Sequence, residues 1–190
     1  MNFTYFARTP RPTPMPLKNR TNANRFAIVT TLAFFAYTGA VYVPQGKCFA
    51  VEGGVKSLGL LFSYGAEEVQ SFLSARSADQ IQCYLQFLFT WDAIFALGYG
   101  LMYGFWICVL MPQQRWMGWI PLGLAVVLDM AENFTEITLI QHHLRHAELL
   151  ESMICVGSVL NSAKWISTGL VFTTLLFGVF RKLKTMRHHP

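Results

Sequence analysis

Apolar residues fall into four long runs, each sufficient for a hydrocarbon core of roughly 30 Å, which about 20 helical residues span. The first, Phe26 to Val43, carries no charge and stops at Pro44. The second, Ile81 to Met111, has Asp92 as its only charge and stops at Pro112. The third opens at Trp119-Ile120-Pro121 and continues past Gln141, but contains Asp129, Glu132 and Glu136. The fourth, Met153 to Phe180, contains only Lys164. About six residues separate the second run from the third, so those two helices are expected to be antiparallel neighbours. Continuous runs of this kind predict helices, since barrel strands alternate in short segments.

Ser77-Ala-Asp-Gln80 matches a capping box, which places the start of the second helix near Ala78. Pro121 suits the first turn of the third helix, where its missing N–H is not needed. The connection from Pro44 to Ser77 is too long for a tight turn. Within it, Ala66 to Ala75 puts Val69, Phe72 and Leu73 on one helical face and Glu67 and Glu68 elsewhere, the pattern of a short interfacial helix over the bundle mouth. The expected fold class is all-α: a polytopic membrane protein with a four-helix transmembrane bundle and a short interfacial helix in the first exterior loop. The expected parts are a basic, Pro-rich tail at 1–25, a transmembrane domain at 26–180 and a basic tail at 181–190.

Composition agrees. The chain is 53% hydrophobic and 13% charged, against about 25% charged in a soluble domain. Gly and Pro together make 22 of 190 residues without a period, which excludes collagen-like and low-complexity classes. A net charge of +5 in a soluble chain would point to nucleic acid, but its placement here is juxtamembrane, so no nucleic-acid partner is expected. Ten Lys and Arg lie in the two tails and the Gln113 to Trp116 loop, against four (Lys47, Lys56, Arg76, Arg145) in the other loops. The positive-inside rule then puts both termini in the cytoplasm and the longer loops outside, in a cell membrane of the bacterial inner-membrane kind. The expected partners are the lipid bilayer and, beyond it, a membrane-protein complex or a homo-oligomer. Thr38-Gly39-Ala40 offers small residues for a signal-peptide cleavage site, but the basic region is too long and the apolar stretch runs on through Val43. Asn2 and Asn19 match glycosylation acceptors on the side expected to be cytoplasmic, and are discounted.

The informative residues are the charges inside the apolar runs, because each costs at least about 2.5 to 3.5 kcal/mol at the bilayer centre unless it faces the bundle interior and finds a partner. Helix rise places Asp92, Glu132 and Lys164 each roughly 15 Å from the outer end of its span. Asp129, Glu132, Asn133 and Glu136 follow an i, i+3, i+4, i+7 pattern and share a face. Gly157, Asn161, Lys164 and Thr168 form a polar stripe on the last helix, and Asp92, Ala96, Tyr99 and Tyr103 share a side of the second. Ala96, Gly100 and Gly104 have small-xxx-small spacing for close packing. The expected site is a proton- or ligand-binding cluster of Asp92, Tyr99, Asp129, Glu132, Asn133, Glu136, Asn161 and Lys164 in the outer half of the bundle. Four carboxylates against one ammonium cannot all stay ionised in a low dielectric, so such a cluster is expected to hold protons.

The segment Val127-Leu-Asp-Met-Ala-Glu-Asn133, with Thr90-Trp-Asp92 and Tyr99 in the preceding run and a Lys in the last, resembles small four-span bacterial membrane proteins of unassigned function that carry D-x-x-E-N in the third helix. The resemblance covers residues 80–180 and implies a four-span fold without implying an activity.

His142, His143 and His146 form a second constellation. His143 falls on the side of Glu132 and Glu136, and His142 and His146 are an i, i+4 pair able to share a metal, although solvated interface histidines have the same pattern and spacing fixes no third ligand. No cofactor is indicated. Cys48 and Cys83 both fall near the outer surface, where an oxidising compartment permits a disulfide, and Cys108 and Cys155 read as small apolar packing residues. No Gly-rich phosphate loop, G-x-S-x-G elbow or H-E-x-x-H is present. Three functions fit. The first is a structural or accessory membrane subunit whose cluster fixes helix register or docks a complex. The second is a protein that binds or translocates a proton, cation or small ligand. The third is a membrane enzyme acting on a lipid or isoprenoid, with a carboxylate and His143 or His146 as acid and base and no evident nucleophile.

Overall fold

The computed structural model describes residues 17–51, 55–146 and 148–187, which are predominantly helical with no strand among them. Helix α1 runs as α-helix over Leu17–Tyr37, widens into a π-helical stretch at Thr38–Tyr42 and closes with Val43–Gly46. Helix α2, Ala66–Ser74, lies in the connection after it. Helix α3 starts with Ala78–Gln86, widens into a second π-helical stretch at Phe87–Asp92 and continues over Ala93–Leu110. Helices α4 and α5 span Trp116–His146 and Glu151–Arg187. α1 packs on α3, α3 on α4 and α4 on α5. The start of α1, the α3–α4 turn and the end of α5 meet at one end of the bundle, the termini end. The connections around α2 and between α4 and α5 close the opposite, loop end.

Local chemistry accounts for the boundaries. At α3 the Ser77 Oγ accepts from the Gln80 N–H at 3.3 Å while the Ser77 N–H donates to Gln80 Oε1 at 3.0 Å, the reciprocal box expected from sequence. α3 stops at Leu110, just before Pro112. A Cβ on Gly100 would stand 2.9 Å from the Val126 side chain, and one on Gly104 2.7 Å from the Trp119 ring. Small residues therefore set the close approach of α3 to α4. In α2, Val69, Phe72 and Leu73 are buried with Tyr84, Leu139 and Ile154. At its start Glu68 accepts the Gly65 N–H at 2.7 Å, which holds the Glu68 carboxyl below its ordinary range.

Three boundaries depart from the sequence reading. Pro44 does not end α1, because the π-helical stretch just before it gives its ring room in the preceding turn and the helix continues to Gly46. Pro121 lies inside α4 and not in its first turn: the Gly118 and Trp119 N–H groups already donate to the Arg115 carbonyl, and the apolar residues Trp116 and Met117 extend the helix backward. α1 and α5 also run into the basic segments assigned to tails, beginning at Leu17 and ending at Arg187.

Three helical stretches are long and apolar enough to cross a membrane: Asn22–Phe49, Ala78–Leu110 and Glu151–Met186. α4 has 31 residues, roughly 46 Å of helix, but carries the three acidic residues and does not qualify on composition.

Candidate functional site

α4 turns Asp129, Glu132, Asn133 and Glu136 to the interior, all buried, as their shared helical face requires. Lys164 on α5 reaches between them and pairs with Asp129, Nζ to Oδ1 at 3.3 Å, and more closely with Glu132. The Tyr99 hydroxyl donates to Asp129 Oδ2 at 3.0 Å. Asp92 does not meet the lysine. Its carboxylate accepts from the Tyr42 hydroxyl at 2.6 Å and from Asn133 Nδ2 at 2.7 Å. One turn along α4, Glu136 accepts from the Tyr84 hydroxyl at 2.6 Å. Oε1 of Glu132 and Oε1 of Glu136 are buried without a hydrogen-bond partner.

Asn161 belongs to a different arrangement. Its Nδ2 donates to the carbonyls of Leu58 at 3.2 Å and Leu61 at 2.6 Å. Ser162 Oγ donates to the Phe62 carbonyl at 2.9 Å and Trp165 Nε1 to the Leu61 carbonyl at 3.1 Å, while the Tyr64 N–H donates to Ser158 Oγ at 3.0 Å. Asn161 and its neighbours on α5 thus satisfy a short 3₁₀ turn, Leu58–Leu60, and the backbone after it, which the α1–α3 connection pushes into the bundle with Leu58 fully buried. The tip of that segment is Gly59. A Cβ there would stand 3.3 Å from Glu132 Oε1 and 3.7 Å from Lys164 Nζ. On the far side Arg76 ties the connection together, donating to the carbonyls of Phe49 at 3.0 Å, Phe72 at 2.9 Å and Val55 at 2.9 Å.

A cavity of about 560 Å³ opens beside the ion pair. Its polar wall includes Lys47, Asp92, Asp129, Asn133 and Lys164, and its apolar wall includes Phe34, Phe87, Leu88 and Phe95. The two π-helical stretches pack against each other beside it, Tyr42 of one donating to Asp92 of the other. Widened turns of this kind occur often at functional sites. In addition, Tyr37 donates to the Trp91 carbonyl within the second stretch at 2.7 Å. Sequence patterning did not single out Tyr42, Tyr84 or the loop tip as parts of the site. A Tyr in each flanking run was the available signal.

Cys48 and Cys83 form a disulfide joining the end of α1 to the first turns of α3. Cys155 is exposed, contrary to its reading as a packing residue, because it faces outward from α5, while Cys108 is partly buried. The His142 and His146 rings lie 4.5 Å apart. Among the described residues no group of three or more His, Cys, Asp or Glu side chains is placed to hold a metal ion. Comparison with known proteins finds no matching family model, no similar curated protein and no similar solved structure.

Proposed function

We propose that this is a four-span integral membrane protein that binds a small amphiphile in the cavity at its loop end. The observation that carries the reading is that the buried ion pair is not packed over: Asp129 and Lys164 stand in the cavity wall. A clamp that served register alone would gain from being sealed by apolar side chains. The polar wall is rich in acceptors, with the carboxylates of Asp92 and Asp129 beside the Lys164 ammonium, which is already paired, and Lys47 at the edge. The matching polar end therefore carries hydroxyl or amine donors, and the aromatic wall suits its apolar part. Sealed elements of the cluster, Glu136 on Tyr84 and Asn161 on the loop, favour a structural contribution as a second role of the same residues. Neither His143 nor His146 lines the cavity, so the enzymatic reading loses its acid–base pair.

A fourth span at α4 is supported by its outward face, where Ile120, Leu124, Val127 and Phe134 are all exposed while every acidic residue on the helix points inward. The other helices expose a similar apolar surface, with Phe26, Leu32 and Phe35 on α1 and Leu170, Phe177 and Phe180 on α5. In this reading α2 is an interfacial helix over the bundle mouth, the ten-to-four split of basic residues supports both termini on the cytoplasmic side, and the membrane is of the bacterial inner-membrane kind. A reporter active only outside the cytoplasm, fused after Pro190, should be silent; an active fusion would sink the four-span arrangement.

Ligand binding is tested on the full chain purified in mild detergent, by native mass spectrometry. The wild type should retain a small amphiphile. Thr168→Trp, which fills the cavity, and Asp92→Asn, which alters its polar wall, should each lower retention by about tenfold or more while unfolding cooperatively. Unchanged retention in folded Thr168→Trp would overturn the proposal. So would a wild type that retains nothing and whose unfolding temperature no long-chain amine or alcohol raises.

A further inference from the structure

At the termini end a second cavity, of about 780 Å³, lies between the start of α1, the α3–α4 turn and the last turns of α5. Its origin is a change in packing along α5. At Gly178 the helices are as close as they can come, since a Cβ there would meet the Leu110 Cβ at 2.8 Å. Beyond that point Pro112 ends α3 while α5 continues to Arg187, and the longer helix leaves a recess beside the turn. Arg181 and Lys182 stand over the recess, Asn24, Gln113 and Gln114 add amide groups, and Met111 lies in its wall. The Arg181 guanidinium is held in place, donating to Gln114 Oε1 and lying 5.8 Å from the Phe177 ring centre.

Charge around this recess has one sign. Residues 1–51, 93–128 and 152–190, which supply all of α1, most of α3, the start of α4 and nearly all of α5, contain no Asp or Glu. Among the described residues Arg181 and Lys182 have no carboxylate partner, unlike Lys164. The recess is also at a defined level, because its lining residues Asn24, Met111 and Arg181 lie where the apolar runs begin at Phe26 and end at Met111 and Phe180. A pocket with two cations, amide donors and an apolar wall at the boundary of the apolar stretches matches a phosphate diester with acyl chains attached.

We infer that this recess is a binding site for the headgroup of an anionic phospholipid, with Arg181 and Lys182 on its phosphate. The inference stands apart from the ligand proposed at the loop end. The full chain is exchanged into detergent micelles containing phosphatidylglycerol or phosphatidylcholine, and bound lipid is counted by native mass spectrometry. The wild type should retain phosphatidylglycerol at least tenfold more than phosphatidylcholine. The double variant Arg181→Gln, Lys182→Gln should lose that preference, whereas Lys184→Gln, which removes a nearby charge outside the recess, should keep it. Ala23→Trp fills the recess without changing charge and should also lose it, which separates a built site from a general basic surface. Thermal unfolding of each variant confirms that it is folded. Equal retention by the wild type and either folded recess variant would overturn the inference. Displacement of the lipid by millimolar inorganic phosphate or glycerol phosphate would overturn the lipid as occupant, since headgroup chemistry alone would then suffice.

Discussion

Lys164→Met is expected to destabilise the protein by about 3 to 5 kcal/mol, the range for breaking a buried ion pair from one side. Its removal leaves Asp129 and Glu132 facing each other without a cation, with Glu132 Oε1 already unpartnered. Sequence depth alone places Asp92 as an equal partner of the lysine, but its hydrogen bonds go to Tyr42 and Asn133. Rescue should therefore be selective. Adding Glu132→Gln to Lys164→Met should recover roughly 1 kcal/mol or more beyond additivity, whereas adding Asp92→Asn should not. Thermal unfolding of the single and double variants in one detergent measures both. Additive losses for the Lys164–Glu132 pair would mean that the two side chains do not meet.

The second large effect is at the disulfide. Cys48→Ser with Cys83→Ser opens a closed segment of sequence separation 35, and the expected loss is about 2 to 4 kcal/mol. Addition of reductant to the wild type should reproduce that loss, while the double variant should not respond. The effect should extend to binding, because Lys47, Phe49 and Ala50, beside the bond, line the loop-end cavity. An unfolding transition indifferent to reductant would show that the two cysteines are not joined.

Much of the frame was legible because it is periodic or chemically specific. The i, i+3, i+4, i+7 pattern on α4 brought four polar residues to one buried face, the small-residue spacing on α3 marked its contact with α4, and the Ser77–Gln80 box marked where α3 starts. Depth along the helices brought Lys164 to the level of Asp129 and Glu132. The parts that were not legible have no period. The segment around Leu58 to Leu61 is apolar and glycine-containing, a composition shared by surface loops and buried ones, and only the side chains that accept from it or donate to it reveal that it enters the bundle. Asn161 sits on the same stripe as Lys164, so helical spacing assigns it to the charge cluster, yet its amide is drawn to loop carbonyls. The widened turns at Thr38–Tyr42 and Phe87–Asp92 add one residue to a turn and so rotate the remainder of each helix, a shift that no single residue type announces. Pro121 was misplaced for a simpler reason: proline tolerates both a first turn and an interior position where its neighbours leave room, and the apolar residues before it decide between them.

The inserted segment has a consequence for the order in which the molecule can be built. Its backbone carbonyls at Leu58, Leu61 and Phe62 are satisfied by Asn161, Ser162 and Trp165, residues about a hundred positions later in the chain. A nascent chain emerges from its N-terminal end, so α1, α2, α3 and α4 are all synthesised before any of those donors exists. Until α5 arrives, the carboxylates of α4 also lack Lys164, their only cation in the cluster. α5 thus completes two unfinished sets of polar groups at once, and the cavity between them takes its shape only when that helix has been made.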